Sequence, residues 1–201
     1  MTILDRIQKM AFYKDEKLAL FIDGTNLYSA ARGLDLEIDF RRLVQEFRKR
    51  GRLLRANYYT SILETDDHNP VRPLVDWLAY NGYNTVTKTA REYSDRDGRR
   101  RVRGRMDVEI ATDMLELAPA LDHIVLFAGN GDFRRVVEAV KAKGVRVTVI
   151  SSVKSQPQVI ADELRREADA FIDLDEMAEL IARPRKDNDD RDSAGENDYD
   201  D

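Results

Sequence analysis

Six apolar runs, separated by stretches of helical periodicity, constrain this chain more than any other feature. The runs are continuous rather than alternating, which is typical of strands covered on both faces. Strands that alternate with helices predict a three-layer α/β fold with a mostly parallel central sheet. The predicted strands are Leu18–Ile22, Leu53–Tyr59, Asn84–Thr89, Ile124–Ala128, Val145–Ile150 and Ala170–Leu174. The predicted helices are Leu27–Arg32, Phe40–Arg50, Val71–Tyr80, Val108–Leu117, Phe133–Lys143, Gln158–Ala168 and Glu176–Ala182.

Length and composition predict one folded domain with an extension at each end. The chain has 201 residues, 42% of them hydrophobic, which is enough for one substantial core. We place the domain at residues 18–182, after an N-terminal helical extension at 1–17 whose apolar face covers the domain or forms a homodimer contact. Residues 183–201 carry four basic and eight acidic side chains and thus −4 of the net charge of −5. This segment is predicted to be a disordered acidic tail.

The composition also excludes several kinds of site. The chain contains no cysteine, so it has no disulfide, no thiolate nucleophile and no zinc site built on sulfur. No apolar stretch approaches the length of a membrane span, and the N-terminus lacks a signal-peptide core. We therefore expect a cytoplasmic protein without a membrane partner.

Acidic and amide side chains gather where the predicted strands end. Asp23 and Asn26 follow the first strand. Asn130 and Asp132 follow the fourth, and Asp107 lies at the start of the helix before it. Ligands of open α/β sheets bind beside the carboxyl ends of the strands. Carboxylates gathered there repel one another, which favours a hard divalent cation with oxygen ligands, and such cations serve phosphate chemistry.

Each of these residues also has a purely structural alternative. Asp23 or Thr25 could cap the first helix, and Asp107 and Asp132 could cap the helices that they precede. Asn130 could simply make a turn. Three separate junctions with a carboxylate at the same end of the sheet nevertheless favour one shared site over three independent caps.

Three ordered segments carry a family resemblance. They are Ile22-Asp-Gly-Thr-Asn26, Met106-Asp-Val-Glu-Ile-Ala-Thr-Asp-Met-Leu115 and Ala128-Gly-Asn-Gly-Asp-Phe133, the last followed by Val145-Arg-Val-Thr-Val-Ile150. They resemble motifs of the NYN domain family, in its LabA-like bacterial branch within the PIN-like nuclease superfamily. The resemblance extends from about Leu18 to Leu174. It implies a Rossmann-like PIN fold and a metal-dependent endoribonuclease that cleaves RNA phosphodiester bonds.

The resemblance also implies roles for particular residues. All but one of the implied catalytic residues are also implied ligands of Mg²⁺ or Mn²⁺, and the exception, Asn26, would orient a ligand or a water. Asp113 lies six residues after Asp107, about 240° round a helix, and is therefore expected to be a supporting residue. The implied catalytic residues are Asp23, Asn26, Asp107, Asn130 and Asp132.

Asn130 departs from the family pattern. The third motif usually reads Ser-Gly-Asp-x-Asp-Phe, and Asn130 stands at its first acid. An amide oxygen can ligate a cation but brings no charge, so metal binding should weaken. The chain is expected to be an attenuated ribonuclease; the alternatives are an inactive RNA-binding module of the same fold and a deliberate Asp→Asn change.

The connection Arg91–Arg105 holds seven arginines against three acids and is predicted to be a long loop. Arginines beside an acidic site are suited to phosphate contacts. We expect the partner to be RNA, single-stranded, with DNA as the alternative because no residue identifies a reader of the 2′-hydroxyl. Tyr59 either packs in the core or stacks a base at the mouth of the site. The predicted nucleic-acid contacts are Arg99, Arg100, Arg101, Arg103 and Arg105.

Overall fold

Six parallel strands and one antiparallel edge strand form a single sheet in the order β4-β3-β2-β1-β5-β6-β7. The computed structural model describes residues 12–63, 71–94 and 100–184. The predicted α/β class with a mostly parallel sheet is confirmed. The strands are β1 (Lys17–Asp23), β2 (Arg52–Leu63), β3 (Asn84–Ser94), β4 (Arg100–Arg103), β5 (His123–Phe127), β6 (Arg146–Ser151) and β7 (Ala170–Asp173).

Helices cover both faces of this sheet and make it a three-layer structure. One core lies between the sheet and α1, α2, α3 and α7, and the other lies between the sheet and α4, α5 and α6. Alternate residues of β1 serve the two cores: Ile22 packs in the first and Phe21 in the second. The helices are α1 (Gly24–Gly33), α2 (Phe40–Arg50), α3 (Val71–Tyr80), α4 (Asp107–Leu117), α5 (Arg134–Lys141), α6 (Asp162–Glu167) and α7 (Ala178–Ile181).

The order of the strands places a ligand crevice at β1. The chain proceeds outwards from β1 through β2 and β3 on one side and continues through β5, β6 and β7 on the other. Parallel sheets of this kind bind ligands where the direction of winding reverses, at the carboxyl ends of the strands. That position lies between Asp23, the last residue of β1, and the turn that follows Phe127 of β5.

The predicted loop at Arg91–Arg105 is wrong over most of its described length. β3 continues to Ser94, and β4 pairs with it antiparallel from Arg91↔Arg103 to Ser94↔Arg100. A dense run of charge suggested a loop, although an edge strand with one solvated face tolerates charge well. The dipeptide Asp97-Gly98, which favours tight hairpin turns, was the available signal in the sequence.

Helix ends differ most where no capping residue marks them. The helix predicted at Gln158–Ala168 is shorter, Asp162–Glu167, because an irregular segment precedes it. By contrast, α2 has the predicted limits: Asp39 caps it by accepting from the backbone N–H groups of Arg41 and Arg42, and Gly51 follows its last residue.

The two extensions lie largely outside the described residues. The described part of the predicted helical extension is not helical, because residues 12–16 form a turn that leads into β1. Residues 1–11, and residues 185–201 of the predicted tail, lie outside the structure's description. Among the helices that the structure does describe, none has the length and apolar character needed to cross a membrane.

Candidate active site

Asp23 ends β1 at the crevice and also caps α1. Its Oδ1 accepts from the backbone N–H of Thr25 at 3.0 Å and of Asn26 at 3.3 Å. Burial raises the pKa of Asp23, and the carboxylate of Asp107 adds to this rise, while the two backbone N–H groups and Arg105 oppose it. Asp23 is therefore a helix cap, as the structural alternative predicted. Its carboxyl also interacts electrostatically with Asp107 and Arg105.

Asp107 is the first residue of α4, and it does not cap that helix. Its Oδ2 lies 2.6 Å from Nε of Arg105, and its Oδ1 lies 3.4 Å from Nδ2 of Asn130. The side chain is 24% exposed, so it faces the crevice instead of the core. Its contacts tie the start of α4 to the turn after β5.

Asn130 and Asp132 share this turn, which is a 3-10 turn over Gly131–Phe133. Asn130 caps the turn, since its Oδ1 accepts from the backbone N–H of Asp132 at 3.3 Å. Its Nδ2 donates to Oδ2 of Asp132 at 3.0 Å. This hydrogen bond, together with Arg105, lowers the pKa of the exposed Asp132 carboxyl. Asp132 thus accepts hydrogen bonds within the cluster and caps no helix.

Arg105 joins the carboxylates of Asp107 and Asp132. Besides its contact with Asp107, its Nη2 donates to Oδ2 of Asp132 at 3.0 Å. The side chain is 64% exposed, so it rests on the cluster from the solvent side. We call Asp23, Arg105, Asp107, Asn130 and Asp132 together the carboxylate cluster.

The donor atoms of the carboxylate cluster suit Mg²⁺ or Mn²⁺, because both cations prefer oxygen ligands. The guanidinium of Arg105 already places positive charge between Asp107 and Asp132. Within the described ranges, however, no three acidic or histidine side chains converge closely enough to hold an ion by themselves. A cation at this position would therefore need the amide oxygen of Asn130 as well as the carboxylates.

The side chain of Asn26 forms its hydrogen bonds with residues outside the other site residues. Its Nδ2 donates to the carbonyl of Val159 at 3.0 Å, and its Oδ1 accepts from Ser151 at 3.1 Å. Gly129 fits against the same junction, because a Cβ there would lie 1.7 Å from the carbonyl oxygen of Val159. The predicted role of orienting a ligand is not what this geometry favours, because both polar atoms of the Asn26 side chain bond to Val159 and Ser151.

Tyr59 and Asp113 form a pair behind the cluster. The hydroxyl of Tyr59 donates to Oδ2 of Asp113 at 2.8 Å, and the tyrosine is fully buried. Tyr59 therefore cannot stack a base, and the alternative of core packing is correct. Through this hydrogen bond Asp113 anchors α4 to β2, in keeping with a supporting place. Thr25 contributes only its backbone to the cap at Asp23.

The structure describes the predicted arginine contacts unevenly. Arg99 lies outside the described residues. The backbone of Arg100, Arg101 and Arg103 forms β4, at the edge of the sheet that is separated from β1 by β2 and β3. Arg105, after β4, contacts Asp107 and Asp132, and its contact with Asp107 was not foreseen.

Known proteins match this chain in both sequence and structure. The family model of the NYN domain matches residues 17–175. The chain is 35% identical over 181 residues to the low amplitude and bright protein LabA of Synechococcus elongatus, which covers 88% of this chain and 93% of that protein. A crystal structure of a protein of unknown function from Vibrio parahaemolyticus superposes with a TM-score of 0.64 at 25% identity, covering 80% of this chain and 93% of that one.

Proposed function

This chain belongs to the NYN domain family, and from that premise we propose that it is a metal-dependent endoribonuclease attenuated by Asn130. NYN domains are nuclease-like. The observation that carries the proposal is that Arg105 bridges Asp107 and Asp132 at the point where the sheet reverses its winding. The charges of Asp107 and Arg105 also act on Asp23, which ends β1 there. Ligands of such folds bind at this point.

In this proposal the acids and Asn130 of the carboxylate cluster hold a cation, and Arg105 contacts the RNA. Asp23 and Asp107 would hold Mg²⁺ or Mn²⁺, with Asn130 and Asp132 completing the ligand set. When bound, such an ion supplies an activated water and stabilises charge on the scissile phosphate. Arg105 is exposed and its guanidinium contacts two carboxylates, so it can exchange these partners for a phosphate of the substrate.

The proposed substrate is single-stranded RNA. Arg105 offers a phosphate contact beside the cluster, and Arg99, Arg100, Arg101 and Arg103 add further positive charge along the same stretch of chain. Binding that depends on such contacts weakens steeply with salt. Replacement of Arg99, Arg100 and Arg101 by alanine should lower affinity equally for all sequences and flatten the salt dependence. Unchanged binding would remove these arginines from the interface.

Asn130→Asp tests the catalytic part of the proposal. With Mg²⁺ or Mn²⁺ and end-labelled RNA, we expect this variant to cleave at least about tenfold faster, which is the scale on which ligand-shell changes act. EDTA, or the added change Asp23→Asn, should abolish the gain. Asp39→Asn is the matched control, because Asp39 caps α2 through the same two-bond geometry but lies outside the cluster. Equal loss with both aspartate variants would contradict a catalytic role for Asp23.

The alternative is an RNA-binding module without catalysis. It is favoured by the amide of Asn130, whose Nδ2 faces Asp107 and Asp132, so that Arg105 and Asn130 satisfy the cluster without a cation. In that case neither the unchanged chain nor Asn130→Asp cleaves any RNA, with or without metal, while both bind it.

A further inference from the structure

A second recess opens on the other side of the strand ends. It is a cavity of about 290 Å³ between α1, the segment that follows it, the start of α2, α3 and Tyr58 of β2. Gly24, which follows Asp23 directly, forms part of its wall, so the cavity and the carboxylate cluster share the end of β1. We call this cavity the Tyr58 pocket, after the side chain that lines its inner end.

The inner end of the pocket has one polar group. Tyr58 is 5% exposed, and its hydroxyl makes no hydrogen bond to any residue that the structure describes. A Cβ on Gly24 would lie 2.5 Å from that oxygen, which places the hydroxyl against the backbone after Asp23. Burial, followed by the charge of Asp23, raises the pKa of Tyr58 to about 12. The hydroxyl therefore stays protonated and can donate to a ligand.

The rest of the pocket is apolar inside and carries Arg32 and Glu37 at its rim, where Glu37 is already paired with Arg183. Leu27, Leu74 and Phe40 line it, and the ring of Phe40 packs edge-on against Tyr58 with centroids 5.6 Å apart. At the rim, Tyr28 is 67% exposed, and Arg32 forms no ion pair with any described residue. An apolar recess with one buried donor, an exposed ring and an arginine, beside a glutamate that is already paired, suits a nucleobase and its phosphate.

We propose that the Tyr58 pocket binds one nucleobase of the RNA strand whose phosphate lies at the carboxylate cluster. The volume is at the lower limit of ligand pockets, about 300–1,000 Å³, and so suits one base better than a larger ligand. Tyr28 stacks the base, the hydroxyl of Tyr58 donates to a carbonyl or ring nitrogen of it, and Arg32 contacts a phosphate. This assignment rests on the proposed function for its strand but concerns binding alone.

Binding of mononucleotides tests the pocket without any need for catalysis. The ¹⁵N-labelled chain, in EDTA, is titrated with nucleoside 5′-monophosphates and, separately, with ribose 5-phosphate. We expect the nucleotides to shift the amide signals of Gly24, Leu27 and Tyr28, and ribose 5-phosphate to leave them in place. Tyr28→Ala should weaken nucleotide binding by about tenfold, the scale of one lost stacking contact.

Two further variants separate the pocket from general effects. Tyr80→Ala removes a tyrosine that is 92% exposed and does not line the pocket, so it should bind nucleotides like the unchanged chain. Tyr58→Phe removes only the hydroxyl and should reduce affinity by several-fold while changing which base is preferred.

Three outcomes would overturn the assignment. They are equal shifts with ribose 5-phosphate, equal loss in Tyr28→Ala and Tyr80→Ala, and shifts of these amides that follow protein concentration alone, which would identify a second copy of the chain as the occupant. The catalytic proposal fails separately, on the absence of cleavage by Asn130→Asp. Base-dependent binding with no cleavage would therefore keep the pocket and discard the nuclease.

Discussion

Carboxylates and arginines lie at both ends of the central strands, but their charges are closely paired at the amino end and only partly paired at the carboxyl end. At the amino end, Arg146 at the start of β6 donates to both carboxylate oxygens of Glu16, at 2.9 and 2.6 Å. His123, which begins β5, is fully buried between this pair and Thr148, whose hydroxyl lies 2.8 Å from Nε2. Each named charge there has a close partner, and the histidine is sealed from water.

Among the groups named at the carboxyl end, the carboxylates outnumber the cations. Arg105, which is 64% exposed, contacts Asp107 and Asp132 and acts on Asp23 through its charge, whereas the side chain of Arg146 is 30% exposed. Like charges held together cost stability, and proteins retain such arrangements where a ligand supplies the missing charge. The amino end therefore carries a closely paired network, and the carboxyl end carries a carboxylate cluster whose charge is only partly paired.

The largest effect should come from acidification of the amino end. Burial, followed by the charge of Arg146, lowers the pKa of His123 from 6.5 to about 4, although Glu16 and Asp169 oppose this. Below pH 6.5 His123 becomes protonated in the unfolded chain, but it stays neutral in the folded chain until about pH 4. Stability is therefore complete above pH 6.5 and falls by about 3 kcal/mol towards pH 4.

Urea unfolding of the unchanged chain and of His123→Gln across this pH range measures the difference. The His123→Gln curve should lack this decline, whereas His68→Gln, at the chain's other histidine, should retain it. If both variants follow the unchanged chain, His123 is not buried in its neutral form.

Two arginine variants give the next largest contrast. Arg146→Ala should lower the free energy of unfolding by about 2 kcal/mol, because it leaves the largely buried Glu16 without its cation. Arg105→Ala removes the two ion pairs of an exposed side chain and should change the free energy of unfolding by less than about 1 kcal/mol. Chemical denaturation of both proteins at one pH and salt concentration makes the comparison. Equal losses would show that Arg105 is as much a structural residue as Arg146.

Asn130→Asp probes the excess of negative charge directly. In EDTA, the new carboxylate faces Asp107 and Asp132 and loses the amide donor, so stability should fall by about 1 kcal/mol. Added Mn²⁺ should restore it, since an ion that binds only the folded state stabilises that state. Thermal unfolding with and without metal measures both effects. Asn130→Ala is the control: it loses the donor without gaining charge, and its stability should not respond to metal.

Sequence reasoning was most successful where a signal was local. Helix α2 was predicted with its correct limits, since Asp39 is a favourable N-cap residue and Gly51 a common helix terminator, and continuous apolar runs marked the buried strands. The support that Asn26 gives was not foreseen, because its partner Val159 lies 133 residues away in the chain. Nor was the contact of Arg105 with Asp132, which depends on how the turn after β5 and the residue before α4 meet in space. Residue spacing predicts which junctions share an edge, but not which side chains touch there.

The smallest expected change in the free energy of unfolding is that of Asp23→Asn, and the prediction concerns the sign of this change. Its folded-state pKa is raised, so ionisation at neutral pH costs stability in the absence of metal. Asp23→Asn keeps an oxygen to cap α1 and removes the charge that faces Asp107, so this variant should be more stable than the unchanged chain in EDTA at pH 7.5. The gain should shrink as the pH falls through the raised pKa, because Asp23 itself then becomes neutral in the folded protein.

Asp39→Asn separates this effect from capping. Asp39 also accepts from two backbone N–H groups at the start of a helix, and its loss of charge removes a favourable interaction with the helix dipole, about 0.3–1 kcal/mol. Its stability should therefore fall where that of Asp23→Asn rises, and urea unfolding at pH 7.5 and pH 5 compares the two. Opposite signs would mean that the negative charge at the carboxyl end lowers the stability of the folded chain, as expected of a site that binds a cation. A decrease in both would make Asp23 an ordinary helix cap and would leave the carboxylate cluster without the internal repulsion that distinguishes it from the network around His123.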